Sequence, residues 1–495
     1  AWQMYTKFGG FLDKVDHFDP AFFGISAREA ASMDPHQRLL LQTIWESLEF
    51  GGIDPNSLYG SKTGVYVGVS NFEYGSHLLF PNNPSKISTY SGTGGSMGVT
   101  AGRVSYTYGF TGPSIMVDTA CSSSLVTTHL AMNALRNGEC DIAISAGVNL
   151  FFGPNTFVNF SKAKMLAPDG HCKTFSAEAD GYARGEGVGV LVLKRLSDAK
   201  KDGDNIIALL RGSAVNQDGP SGGLTVPNGP SQVSVIQDAL KNAGIEPNQV
   251  GYVEAHGTGT KLGDPIEISA LDKVFSKNRD KQTSPLRVSS IKTNIGHLES
   301  AAGIAGLIKT ILVVQKGEIP PHQNFAEPNP HIDWDSIPIE IPISATSWTE
   351  KERVAGVSSF SFSGTNSHIV VSNYVQDGDE QKSKNRVLDT DSPKILAISS
   401  KNEANLEALA KKVGEELAVL PKLEWESYCR SFAHGRGHFS RRIALVGTSP
   451  KEVSEQLLKG DYNLQKIPSI PPKVAFLFTG QGPQFLNMGK ELFDQ

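Results

Sequence analysis

Down to about Asn373 the chain alternates short apolar runs with stretches whose apolar residues recur at helical spacing. The runs "KTGVYVGVS", "CDIAISAGV", "GVGVLVLKRL", "IIALLRGSAV", "QVGYVEAHG", "PLRVSSIKT" and "SHIVVSNYV" are rich in Val and Ile and end at glycine or polar residues, which predicts strands. Helical patterns fall between them, so the pattern reads as an α/β fold. After a short apolar strand, Ser114 to Val117, a helix opens on three serines and places Leu125, Val126, His129, Leu130, Met132 and Leu135 on one stripe.

The pattern breaks at Gln376. The run "QDGDEQKSKNRVLDTDSPK" has few residues able to anchor a core and reads as a linker or exposed excursion. A smaller unit follows. "KILAISS" reads as a strand, and "NLEALAKKVGEELAVL" as an amphipathic helix with Leu406, Leu409, Ala410, Val413 and Leu417 on its apolar face. "RIALVGTS" predicts a second strand, Pro450 to Lys459 a second helix, and "VAFLFTGQGPQ" a last strand and glycine turn after the proline-rich "KIPSIPPK".

At 495 residues the chain exceeds a single compact core, and about two or three domains are expected. A net charge of −5 with interspersed signs leaves no basic surface for nucleic acid. No apolar run approaches the roughly 18 residues of a membrane span, and no signal-peptide pattern opens the chain. Cys121, Cys140, Cys172 and Cys429 are scattered without C-x-x-C spacing, which disfavours a disulfide framework or zinc site and points to a reducing cytoplasm.

Three strand ends carry candidate chemistry. Cys121 lies where a strand meets a helix start, so it is either a buried structural thiol or a nucleophile whose thiolate the helix dipole stabilises. His256 closes a strand at the glycine turn of "VEAHGTGTKLGDPIE", the place where open α/β sheets put reactive groups. Downstream of it, Asp264, Pro265 and Glu267 read as a capping box. Lys292, Asn294 and His297 stand at the third strand end, in "SSIKTNIGHLESAAGIAGLIK". Lone histidines are usually structural, but the repetition of the design suggests three groups converging on one cavity. "GEGVGV" is not a dinucleotide loop, because a strand follows it where a helix is required, and His171 with Cys172 lacks a second ligand pair for a metal.

With "DTACSSSL", "EAHGTGT", "KTNIGHLESAAG" and "GTNSHIVV" in this order and spacing, the chain resembles the β-ketoacyl synthase domain of modular type I polyketide synthases and animal-type fatty acid synthases. The resemblance implies a thiolase-like fold of two similar halves, each with a five-stranded sheet, stacked as an α-β-α-β-α sandwich and assembled as a homodimer. It assigns residues 1–375 to that domain, 376–472 to a small α/β linker domain and 473–495 to the start of an acyltransferase. The family's opening strand is missing before "AWQMYTKFGG", so the chain is expected to begin late, and no G-H-S-x-G acyltransferase motif is present.

For chemistry, the resemblance implies decarboxylative condensation of an acyl chain on Cys121 with a malonyl-type extender delivered on the phosphopantetheine of acyl carrier protein. His256 and His297 would stabilise the enolate and Lys292 would orient the cluster. The N–H groups of Cys121 and Phe362 would form the oxyanion hole, and Thr258, Thr260 and Asn366 would hold the pantetheine arm. No metal and no bound cofactor are expected. Ser361 and Ser363 replace two glycines of the family's G-F-G-G-T-N gate, which should stiffen the loop and reshape the way in for the acyl group. The rival reading is a non-elongating module that docks carrier proteins as a scaffold.

Overall fold

The computed structural model describes residues 4–376, 392–468, 473, 475–478 and 480–490. The chain divides into two compact units, Ala1–Val387 with His434–Gly437, and Leu388–Ala433 with His438–Gln495.

The first unit contains two main sheets. One has the order β2-β1-β3-β4, formed by β1 (Thr63–Gly68), β2 (Ser114–Val117), β3 (Ile142–Asn149) and β4 (Gly187–Lys194). Strand β1 is parallel to β2 and β3, and β4 is antiparallel to β3. The second sheet uses β5 (Ala208–Gln217), β6 (Val250–Glu254), β7 (Leu286–Ser289), β9 (Ile339–Glu340), β11 (Val354–Phe360) and β12 (Thr365–Asn373). Its order is β5-β12-β11-β6-β7-β9. The two-residue strands β8 (Glu318–Ile319) and β10 (Thr346–Ser347) form a separate antiparallel ribbon.

The two sheets repeat one motif. In the first, antiparallel β4 lies beside β3, β1 and β2. In the second, antiparallel β12 lies beside β11, β6 and β7, which run parallel. Among the described residues the expected five strands per half are therefore four and six. On its outer edge β4 has no partner strand among the described residues, whereas β12 is covered by β5, and β9 extends the sheet beyond β7.

Alternation along the strands sorts side chains into layers. On β6, Tyr252 faces the central layer with Leu125 and Leu307, while Val253 faces the opposite core with Val235 and Ile268. The central layer holds two helices, Ser123–Arg136 and Ala302–Lys316. Helices Pro35–Phe50 and Val99–Tyr108 cover the outer face of the first sheet through Leu40, Leu41, Ile44 and Val104. Gly229–Ala243 and Gly263–Phe275 cover the second. Gly303 lets the central helices touch: a Cβ there would lie 2.7 Å from Leu125 Cγ. The layering is the α-β-α-β-α sandwich, and it stacks the turn after β2 against the equivalent turn after β7.

The second unit is a three-stranded antiparallel sheet, β13 (Lys394–Ser400), β14 (Arg441–Gly447) and β15 (Gln465–Lys466), with helices Glu403–Leu417, Trp425–His434 and Pro450–Lys459. Leu406, Ala410, Val413 and Leu417 are buried as expected, and Leu409 lies at the margin of the core. Pattern reading missed helix Trp425–His434, which buries Trp425 and Cys429 one turn apart and donates Trp425 Nε1–H to the Gly447 carbonyl at 3.0 Å. Of the strand expected in "VAFLFTGQGPQ", positions 474 and 479 lie outside the described residues; residues 475–478 pair with no strand among the described residues, and Phe476, Leu477 and Phe478 are exposed. The polar run at 377–391 lies outside the described residues.

Candidate active site

The sequence "DTACSSS" builds a constrained turn at the end of β2. Asp118 accepts the Ala120 N–H at 2.9 Å and the Ser70 hydroxyl at 2.7 Å. Ala120 has φ +52, a left-handed backbone that costs a non-glycine residue about 1–2 kcal/mol. Ser123 holds it there, donating to the Ala120 carbonyl at 2.6 Å and accepting the Thr119 N–H at 2.9 Å. Cys121 follows in the 3-10 turn Ala120–Ser122, its carbonyl bonded by the Ser359 hydroxyl of β11 at 2.7 Å.

The thiol does not behave as a helix-start cysteine should. Burial, and then the Glu299 carboxylate, push it up to about 12, against the pull of Lys292 and of the N–H groups of Phe362 and Cys121 itself. Against the expectation of a stabilised thiolate, the sulfur faces a cavity that also holds the Glu299 carboxylate. The same N–H groups point at the sulfur.

His256 lies just beyond β6, in a turn where Gly257 (φ +44) must be glycine, since a Cβ would stand 2.8 Å from both Ser290 Cβ and Thr174 Cγ2. The expected capping box is not one. Helix Gly263–Phe275 has Leu262 at its N-cap with no side-chain cap, and the two carboxylates fold back onto the histidine turn instead. Glu267 accepts the His256 and Gly257 N–H groups at 2.7 and 2.8 Å. Asp264 accepts those of Phe175, Gly259 and Thr260 at 2.7, 3.1 and 3.3 Å. Buried N–H groups with no other acceptor outcompete the helix end.

Burial pushes the Glu267 carboxyl up to about 7, from an ordinary 4.5, against the pull of those N–H groups. The folded chain therefore keeps a proton that the unfolded chain gives up between about pH 4.5 and about 7. This stabilising contribution is full below the window and lost as pH rises through it. Glu267→Gln removes it, so the melting temperature of the unmutated chain relative to that variant is expected to fall across the window. Thermal melts at stepped pH check this, and a difference that rises with pH contradicts it.

The third strand end begins with the helical turn Lys292–Ile295, and His297 is placed by its N–H on the Ala183 carbonyl at 2.7 Å. Its Nδ1 accepts the Glu299 N–H at 2.9 Å, so the neutral ring carries its proton on Nε2. The His256 and His297 rings lie 5.6 Å apart at 84°, and Tyr182 lies 5.0 Å from His297. Both imidazoles are held well below their ordinary value, first by burial and then by the Lys292 charge, and are neutral. Lys292 is buried behind them, donating to the His256 carbonyl; burial lowers its own value against the pull of Glu254 and Glu267.

These groups share one cavity of about 640 Å³. Cys121, His256, His297, Thr258, Thr260, Phe362 and Asn366 all line it, Lys292 stands just outside, and Asn294 is exposed. The Asn366 amide is engaged by Asn216 and Asp218 at 3.1 and 2.7 Å. In the gate, the Ser361 and Ser363 hydroxyls meet at 2.8 Å across Phe362, whose side chain is half-exposed. Sequence reading missed Glu299, Arg184 and Tyr182, which also line the cavity, and misassigned Asp264 and Glu267. Glu299 was visible two positions after His297, but nothing local marked it. Among the described residues no helix is long and apolar enough to cross a membrane.

Comparison with known proteins shows the family. Residues 1–199 match the family described as "Beta-ketoacyl synthase, N-terminal domain", 207–326 its C-terminal domain, and 328–442 the "Ketoacyl-synthetase C-terminal extension". Polyketide synthase GfsE of Streptomyces halstedii is 45% identical over 99% of this chain, and erythronolide synthase EryA2 of Saccharopolyspora erythraea is 44% identical over 99%. The chain spans only 13% and 14% of those proteins. Among solved structures, the ketosynthase from module 6 of the bacillaene synthase of Bacillus subtilis 168 is 37% identical with a TM-score of 0.83, covering 93% of this chain and 77% of that one. Ketosynthase twelve of the bacillaene polyketide synthase in Bacillus amyloliquefaciens is 33% identical with a TM-score of 0.81, covering 92% and 80%. The two matched domains, their extension and this level of identity place the chain in the β-ketoacyl synthase family, among the ketosynthases of modular type I polyketide synthases.

Proposed function

We propose that this ketosynthase extends a polyketide chain by decarboxylative condensation, joining an acyl group held on Cys121 to a malonyl-type extender on acyl carrier protein. The observation that carries the reading is the convergence, on one cavity, of the Cys121 thiol, the Cys121 and Phe362 N–H groups and two neutral imidazoles.

In the first step Cys121 Sγ attacks the thioester carbonyl carbon. The oxyanion forms against the N–H groups of Cys121 and Phe362, and the proton of Sγ ends on the departing pantetheine sulfur. A thiol pushed up to about 12 reacts only as it surrenders that proton, which suits transfer between two sulfurs inside the cavity. In the second step the extender's carboxylate leaves as CO₂, and the bonding pair becomes an enolate. Its oxygen is held by His297 Nε2–H and by His256. The enolate carbon attacks the acyl-cysteine carbonyl, the C–C bond forms, and the released sulfur takes a proton from solvent. Loss of CO₂ supplies the driving force, so the chemistry calls for no metal or redox group.

Thr258, Thr260 and Asn366 line the way in and would hold the pantetheine arm, and Lys292 would orient the His256 turn through its carbonyl. The same reading takes 1–375 as the ketosynthase domain, 376–472 as the linker and 473–495 as the beginning of an acyltransferase. It places the protein in the cytoplasm as a homodimer beside that acyltransferase. Incubation with acyl- and [¹⁴C]malonyl-carrier protein tests it: one CO₂ is expected per β-ketoacyl thioester formed. Binding of both carrier proteins with no CO₂ would instead mark a scaffold.

A further inference from the structure

The turn bearing His297 is held by an ion pair that the condensation steps do not use. Glu299 sits at φ +47, a left-handed backbone unfavourable for any residue with a Cβ. Its N–H, oriented by the Leu298 backbone at ψ 18, reaches His297 Nδ1 at 2.9 Å, which leaves the ring proton on Nε2. Its carboxylate is gripped by Arg184, Nε to Oε1 at 2.5 Å and Nη2 to Oε2 at 3.1 Å. Arg184 is 1% exposed, and its guanidinium carbon lies 3.9, 4.2 and 5.2 Å from the ring centres of Phe151, Phe157 and Phe160. The guanidinium therefore has a fixed position. Its backbone joins the same turn, with the Gly185 N–H on the His297 carbonyl at 2.8 Å.

We infer that Arg184 is a positioning residue for His297: by clamping the Glu299 carboxylate it keeps residue 299 left-handed between the His297 turn and the helix that follows, so that the 298–299 peptide need not rotate and its N–H stays on Nδ1, and it thereby decides which imidazole nitrogen donates into the cavity. The inference rests on the functional reading above, in which His297 Nε2–H meets the enolate oxygen, and extends it to a pair outside the reacting atoms. A merely structural ion pair would affect both half-reactions alike. A clamp on the tautomer affects decarboxylation and spares acyl transfer to Cys121.

Two double variants separate these outcomes, Arg184→Met with Glu299→Ala and Arg184→Met with Glu299→Gly. Each removes both charges, so neither leaves a lone buried ion. They differ by one methyl group. Alanine must hold the left-handed backbone without the clamp, whereas glycine adopts it freely. The readouts are CO₂ release from [¹⁴C]malonyl-carrier protein, acyl transfer to Cys121 by intact mass, and the ¹⁵N ring shifts of His297.

The glycine form is expected to keep the Nε2–H signature and to release CO₂ within about threefold of the unmutated chain, while the alanine form loses the signature and slows about tenfold, with acyl transfer little changed. Equal CO₂ rates in the two forms, parallel loss of acyl transfer, or failure of the glycine form to fold would overturn the inference. Absence of CO₂ release from the unmutated chain would overturn the functional reading instead, and the ¹⁵N comparison would still decide the clamp.

Discussion

Replacement of Cys121 by alanine is expected to abolish acyl loading and to lower condensation by roughly 10³-fold or more, because no other thiol lines the cavity among the described residues. The remaining cysteines offer no substitute: Cys140, Cys172 and Cys429 are buried. Cys172, the nearest in sequence to the cavity's first-half walls, has its sulfur occupied by the Ala183 N–H at 3.3 Å. The fold should survive the change, since the turn is held by Asp118, Ser123 and Ser359 and not by the thiol. Condensation rate with matched acyl- and malonyl-carrier proteins, beside a thermal melt, checks both halves of this expectation.

The second large effect belongs to His297. Removing a preorganised donor from an enclosed site costs about 10²–10³ in kcat, and His297→Ala is expected to lower decarboxylation by that amount. Acyl transfer to Cys121 should change far less, because the oxyanion of that step faces the N–H groups of Cys121 and Phe362. His256→Ala is expected to behave in the same way, though its turn is secured by Glu267 whatever the side chain. Separate single-turnover rates for acylation and CO₂ release measure the split. Equal loss in both steps would mean that the imidazoles serve packing.

Much of the fold was legible because its cues are local. β13 and the helix Pro450–Lys459 fall where alternation and an N-terminal proline put them, the latter with Ser449 accepting the Glu452 N–H at its cap. The cavity's wall was legible for a different reason: its members stand at strand ends, and the motif repeats in both halves, so the turns after β2 and β7 meet.

What failed was each inference that treated one stretch in isolation. Asp264 and Glu267 have capping-box spacing, yet the orphan N–H groups they satisfy lie mainly in the preceding turn and at Phe175. At Cys121 burial, and then Glu299, outweigh the N–H groups of the turn, and neither is visible in the local sequence. A strand pattern is no strand without a partner edge, and among the described residues 475–478 find none. The five strands per half implied by the resemblance are four and six among the described residues, within the same layered fold.

The central claim is that the sulfur at 121 receives the acyl chain in the cavity it shares with the two imidazoles. Acylation of the protein from an acyl-carrier thioester, followed by proteolysis and mass mapping, tests it most directly. The account predicts one acyl group, on the peptide bearing Cys121, and none on Cys140, Cys172 or Cys429. An acyl group found elsewhere, or retained by Cys121→Ala, would contradict it.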